Sequence, residues 1–179
     1  MTKFILSFAF AAMLLLFAPV HAQFNPQGTT KFMFTAGVGA SGWGIPVFGR
    51  IEIPVAESIT IGGGASFQSN NQRFLNDRWN HSIIGFHGRG SYHFNTILNI
   101  PDDFDFYAGA SLGYYVWNTT YKGSTPGAVY TGGGNGGANI GIHVGGRYFF
   151  GGNQKTALNL EAGGGNVLSA GTIGITFLL

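Results

Sequence analysis

The charged residues of this chain fall at alternate positions of segments that are otherwise apolar or small. In residues 138–150 most of the apolar side chains share one parity, whereas His143 and Arg147 share the other. Successive side chains of a β-strand point to opposite faces, so such a segment presents one apolar and one polar face. The same parity rule places Ile83 on the polar face as an apolar exception. It assigns to that face a set of charged and histidine residues: Lys31, Arg50, Glu52, His87, Arg89, Asp105, His143, Arg147 and Glu161.

Three residues of the polar parity have the types of a catalytic triad. Ser111 would be the nucleophile, His143 the base and Glu161 the orienting carboxylate. A hairpin centred near Gly152 would place His143 nearly opposite Glu161. Because a substrate would have to enter a packed interior, we expect a structural histidine–carboxylate pair instead of catalysis.

Other chemical motifs carry little weight. His81 and Ser82 are neighbours and point to opposite faces, so they cannot cooperate in hydrolysing a lipid. The glycines at 132, 134 and 137 match a dinucleotide fingerprint, but a strand follows them where a helix is needed. The five histidines show no ligand spacing. We therefore predict no enzyme activity, no cofactor, no metal and no nucleic-acid partner.

Composition favours a sheet embedded in a membrane. Charged residues are 9% of the 179 residues, the formal net charge is +2, and cysteine is absent. Soluble domains carry roughly 25% charged residues, whereas a wall that faces lipid must avoid them.

Residues 1–22 are expected to be a cleaved signal peptide, with Lys3 before an apolar run and a cleavage site after Ala22. A retained anchor is the alternative, and residues 23–179 suit one domain.

Eight strands are predicted, at about 30–40, 45–55, 58–68, 81–95, 104–118, 138–150, 157–165 and 168–179. An even number of alternating strands suits an all-β, closed, eight-stranded antiparallel transmembrane β-barrel. The two prolines of the second strand, Pro46 and Pro54, are expected at the rims. Short turns are predicted at the periplasmic end, and the longest extracellular loops at 69–80 and 119–135.

The interior of such a barrel is just wide enough for side chains. An unpaired buried ion costs several kcal/mol, so we expect the polar-parity residues to form a self-paired lumen charge network. An ion path or a binding site is the alternative.

A candidate partner-binding loop lies around the first long loop and combines apolar and charged residues that are frequent in binding hot spots. The other interpretation is that its apolar side chains pack back on the rim of the barrel. Its members are Arg73, Phe74, Leu75, Asp77, Arg78 and Trp79.

The segments FDFYAGASLGYY (104–115), GGRYFF (145–150), NLEAGGG (159–165) and GTIGITF (171–177) carry a family resemblance. On them, the mature chain resembles the small eight-stranded outer-membrane β-barrel domains of Gram-negative bacteria. The chain departs from that pattern at Gly164, where an aromatic residue is frequent, and at its Phe177-Leu178-Leu179 ending. The resemblance implies an outer-membrane location and contact with membrane lipid, lipopolysaccharide and other outer-membrane proteins.

The functional expectation is a non-enzymatic integral outer-membrane barrel with a structural or accessory-subunit role. The alternative is a surface adhesin that binds through its extracellular loops. A lipid-modifying enzyme and a narrow channel rank below these two.

Overall fold

The computed structural model describes residues 32–74, 77–122, 136–151, 154–165 and 170–179, without the side chains of residues 72–78 and 122. The predicted signal peptide, Lys31 and Leu75 lie outside the described residues. The strands are β1 (Met33–Ala40), β2 (Val47–Ala56), β3 (Ile59–Phe74), β4 (Asp77–His93), β5 (Phe104–Lys122), β6 (Gly137–Phe150), β7 (Thr156–Gly164) and β8 (Gly171–Leu178); helix α1 spans Asn95–Leu98.

The strands form one closed antiparallel barrel in chain order. β8 returns to β1 in register from Met33↔Leu178 to Ala40↔Gly171, which closes the sheet. Closure leaves no edge strand around the ring, so the backbone groups of every strand there have a neighbour on each side. The predicted closed, antiparallel, eight-stranded all-β barrel is confirmed.

Burial alternates along the strands as the parity rule predicts. In β6, Ile140 and Ile142 are about 70% exposed on the outside, whereas His143 and Arg147 are buried inside. Ile83 was the exception expected on the inner face of β4, and it is buried there. The barrel therefore has an apolar exterior and a polar, filled lumen.

Three strands run well beyond the ring, where a loop was predicted. β3 continues to Phe74 and pairs with β4 as far as Phe74↔Asp77. β5 continues to Lys122, opposite Arg78. Their neighbours stop earlier, since β2 begins at Val47 and β6 at Gly137. We call residues 68–74, 77–83 and 117–122 the three-stranded extension, and the predicted loop at 69–80 is wrong.

The opposite end of the barrel carries α1, which was not predicted within the expected turn. Asn99 ends this single turn in a left-handed conformation with φ of 50°. Pro54 lies near the end of β2 as expected, beyond the last pair with β1 (Met33↔Glu52) and where the pairing with β3 shifts between Pro54 and Ala56. Such a bulge tolerates the missing proline N–H. No helix within the described ranges is long and apolar enough to cross a membrane.

Candidate functional site

The lumen is the candidate site, because eight of the nine residues predicted for the charge network lie in it. Each of the strands β2, β4, β5, β6 and β7 contributes at least one of them. Six are buried below one tenth of their surface: Arg50, Glu52, Arg89, Asp105, His143 and Arg147. His87 and Glu161 are partly buried on the same inner face. The ninth, Lys31, lies outside the described residues.

In the half of the charge network that lies nearest α1, Arg147 contacts two carboxylates. Its Nη1 donates to Asp105 Oδ2 at 2.9 Å, and its Nη2 donates to Glu52 Oε2. Asp105 Oδ1 lies 2.7 Å from Nδ1 of His93, whose Nε2 lies 2.9 Å from the Thr60 hydroxyl. Arg147 is thus held between two carboxylates and cannot turn without breaking both contacts.

In the half of the charge network that lies nearest the three-stranded extension, Glu161 accepts hydrogen bonds from three residues. It accepts from Arg89 Nη2 at 2.8 Å and from Arg50 Nη1 at 3.2 Å. The Tyr107 hydroxyl donates to the same carboxylate at 3.0 Å. Arg89 Nε lies 3.1 Å from Glu52 Oε1, an ion-pair contact without hydrogen-bond geometry, which joins the two halves.

Tyr107 is the central residue of the network, and the sequence analysis did not include it among the site residues. Its hydroxyl accepts from Asn159 Nδ2 at 2.7 Å and from Arg50 Nη2 at 3.3 Å. Its ring lies 4.5 Å from the guanidinium carbon of Arg147, a cation–π contact. The sequence does indicate that Tyr107 faces inward, because it has the inward parity of its strand. It is missing from the predicted site because only charged residues and histidines were included there.

The ionic groups of this network balance. Three guanidinium groups meet three carboxylates among the described lumen residues. Breaking one buried pair is expected to cost about 3–5 kcal/mol, because an uncompensated charge remains. Six of the nine predicted residues therefore form ion pairs with one another in the middle of the barrel: Arg50, Glu52, Arg89, Asp105, Arg147 and Glu161.

Both ends of the lumen are packed with other side chains. Near α1, Met33, Phe149, Ala157 and Leu178 form an apolar cluster. Near the extension, the rings of Trp43 and Trp117 meet edge-on at 4.8 Å.

The predicted opposition of His143 and Glu161 is wrong. β6 and β7 pair with His143 opposite Gly163 and Glu161 opposite Gly145, two residues away from the expected register. His143 Nε2 instead lies 3.0 Å from the Ser91 hydroxyl. In the described part of the chain, no group of three or more His, Cys, Asp or Glu residues is placed to hold a metal ion.

The candidate partner-binding residues are strand residues of the extension, not a loop. Trp79 is buried, and its ring lies 5.3 Å from that of Tyr121 on β5. The side chains of Arg73, Phe74, Asp77 and Arg78 lie outside the described residues, as does Leu75 altogether. Of the predicted loop, only Trp79 can be placed, and it packs within the extension.

No protein-family model and no curated protein sequence matches this chain. Solved structures do. Neisserial surface protein A matches with a TM-score of 0.49 and 13% identity over 83% of this chain and 94% of that chain. The N-terminal β-barrel domain of Pseudomonas aeruginosa OprF gives 0.47 and 12%, over 82% and 95%. A de novo designed transmembrane β-barrel gives 0.48 and 17%, over 82% and 92%. The fold of this chain is established by its own strand pairing.

Proposed function

We propose that this protein is a non-enzymatic integral barrel of the Gram-negative outer membrane with a structural role. The observation that carries the proposal is the inversion of polarity, with a charge-balanced network inside and an apolar surface outside. Soluble proteins rarely expose contiguous apolar patches above a few hundred Å². A barrel wall in lipid requires that surface, with the polar face turned to the lumen.

The outer surface supports membrane insertion in more detail. Leu112 and Ile140 pair on neighbouring strands and are 63% and 71% exposed. Near α1, Phe104 and Tyr148 also point outward with ring centroids 5.0 Å apart. Aromatic side chains favour the interface between membrane and water, so this end of the barrel would lie at one membrane surface, in contact with lipid.

Cell fractionation and heat-modifiability test the location. The protein should sediment with outer membranes, resist alkaline carbonate extraction and migrate differently on gels before and after boiling. Export through a cleaved signal would leave a mature N-terminus at Gln23, which N-terminal sequencing would detect. Recovery in the soluble periplasmic fraction would contradict the proposal.

We expect no enzyme activity, because the carboxylate of Glu161 is fully occupied by hydrogen-bond donors. The hydrogen-bonding capacity of Glu161 is used by Arg50, Arg89 and Tyr107, so it has no spare capacity to act as a base. Deleting the gene should leave the lipid A profile unchanged. A missing or added acyl chain in that profile would overturn this part of the proposal.

The finer role that we propose is that of an accessory subunit in a larger outer-membrane assembly. Because the structure contains one chain, association with other proteins has to be measured in the native membrane. The test is purification of the tagged protein from native membranes in mild detergent. Co-purification of other outer-membrane proteins at fixed stoichiometry would support it. Recovery of the barrel alone would favour the second candidate.

That second candidate is a surface-binding barrel, and the three-stranded extension favours it. β3 pairs with β2 only up to Phe67, so the described part of β2 leaves residues 68–74 of β3 without a ladder partner on that side. An open edge can add a strand from another protein. Replacing residues 70–81 by Asn-Gly would keep Ser69 opposite Ser82 and close the hairpin with a two-residue turn. Loss of binding to host-cell surfaces, with heat-modifiability retained, would support this function.

A further inference from the structure

A cavity of about 50 Å³ lies in the lumen between the charge network and the three-stranded extension. Arg50, Arg89 and Glu161 line the side nearest the network, and Ser66, His87 and Thr172 are among the residues of its wall. Gly64 lies between Arg50 and His87 in the sheet. A Cβ at this glycine would come within 2.8 Å of Arg50 Cβ and 3.0 Å of His87 Cε1, so a side chain there would press on two residues of the cavity wall.

Several polar atoms of this cavity lack a partner. Arg50 Nε, Ser66 Oγ, His87 Nδ1 and Thr172 Oγ1 are buried and form no hydrogen bond within the described part of the protein. Arg50 and Ser66 are only 3% and 7% exposed. A buried donor without an acceptor is costly, and buried polar groups in folded proteins are almost always paired with protein or water. The Nε–H of Arg50 can only donate a hydrogen bond, and the hydroxyls of Ser66 and Thr172 can donate as well. A hydrogen-bond acceptor in the cavity would therefore be a partner for all three groups.

The charge distribution favours an acceptor that is negative. Arg50 and Arg89 both pair with Glu161, and Arg89 also contacts Glu52 on the far side, where Arg147 lies between Glu52 and Asp105. The network is neutral as a whole, but two of its guanidinium groups and only one of its carboxylates line the cavity.

We propose that this cavity binds one small inorganic anion of halide size. A single water needs about 10–15 Å³ measured in the same way, so the space accommodates a monatomic anion with one or two waters. Organic ligands occupy pockets of about 300–1,000 Å³, which excludes lipid headgroups and nucleotides. The anion would accept from Arg50 Nε and from the hydroxyls of Ser66 and Thr172. This site is independent of any surface-binding or accessory role of the barrel.

Anomalous diffraction tests the site directly. Crystals of the refolded barrel are grown in a halide-free gluconate buffer and soaked in sodium bromide. We expect an anomalous bromine peak within hydrogen-bond distance of Ser66 Oγ and Thr172 Oγ1. Density without an anomalous signal would identify water alone and overturn the proposal.

A solution experiment separates the site from general salt effects. The thermal midpoint of the barrel in detergent is measured at constant ionic strength while bromide replaces gluconate, an anion too large for the cavity. A ligand that binds only the folded state raises the midpoint in a saturable way. The double variant Ser66→Ala, Thr172→Val should weaken the apparent bromide affinity about tenfold, since two donors are lost.

Thr176→Val is the matched control. It removes a buried hydroxyl from the same strand, but that hydroxyl bonds to Thr35 near the other end of the lumen. The control should keep the bromide response of the wild type. An equal response of all three proteins, or none in the wild type while its folded band remains heat-modifiable, would refute the anion site without bearing on membrane insertion.

Discussion

Replacing Glu161 by glutamine is the most direct perturbation of the lumen network. The substitution keeps the shape of the side chain and removes its charge. Glu161 accepts hydrogen bonds from Arg50, from two nitrogens of Arg89 and from Tyr107. A glutamine amide would present one acceptor and one donor to the same donors. The amide N–H of the glutamine would then face an N–H or O–H donor of the network. The described network would also carry one excess positive charge.

The size of the effect follows from which contacts survive. Breaking a buried ion pair costs about 3–5 kcal/mol. Arg89 retains Glu52, and Arg50 retains Asn159 and Tyr107. We therefore expect Glu161→Gln to lower the free energy of unfolding by about 3 kcal/mol, at the lower end of that range.

Urea unfolding of the barrel in lipid vesicles, followed by tryptophan fluorescence and by heat-modifiability, measures the change. Glu57→Gln is the matched control, because Glu57 is exposed in the turn between β2 and β3. An exposed substitution of this kind is expected to change the free energy by about 0.5 kcal/mol or less. A loss below about 1 kcal/mol for Glu161→Gln would show that the network does not stabilise the fold as argued.

Three further predictions concern space, hydrogen bonding and permeation. Gly145→Ala should lower the urea midpoint, because its Cβ would lie 2.5 Å from the ring of Tyr107; Gly164→Ala, with no atom within 4 Å, should not. Equal midpoints would contradict the packing. Thr176→Val should cost about 1 kcal/mol in the same assay through loss of the bond to Thr35, and an unchanged stability would refute that bond's contribution. Planar bilayer recordings of the wild type should show no discrete conductance, since the network fills the lumen; reproducible unitary openings would contradict this.

The local pattern of the chain was sufficient to predict the barrel. The alternation of apolar and polar residues indicated which side chains face inward, and it included the buried Ile83 as an exception. The same alternation failed above the ring. Residues 68–73 are polar on both parities and are typical of a loop, yet they are paired with β4 in a continuous ladder.

The contacts within the site could not be predicted from spacing along the chain. Arg89 and Glu161 are 72 positions apart and meet across the lumen. The register of β6 with β7 depends on the connection between them, where Gly151 and Gln154 both adopt positive φ. A glutamine in that conformation is uncommon, so a turn centred near Gly152 was the simpler prediction, and it gave a pairing register two residues from the observed one.

The sequence by itself therefore determined the number of strands and, within the ring, which face of a strand carries the charged residues. These follow from the two-residue repeat of a strand, which is a local property of the backbone. Only the tertiary structure decided which arginine pairs with which carboxylate, that Tyr107 is their common partner, and that a cavity remains beside Gly64. Those features depend on closure of the sheet, because closure brings side chains of distant strands together inside the barrel.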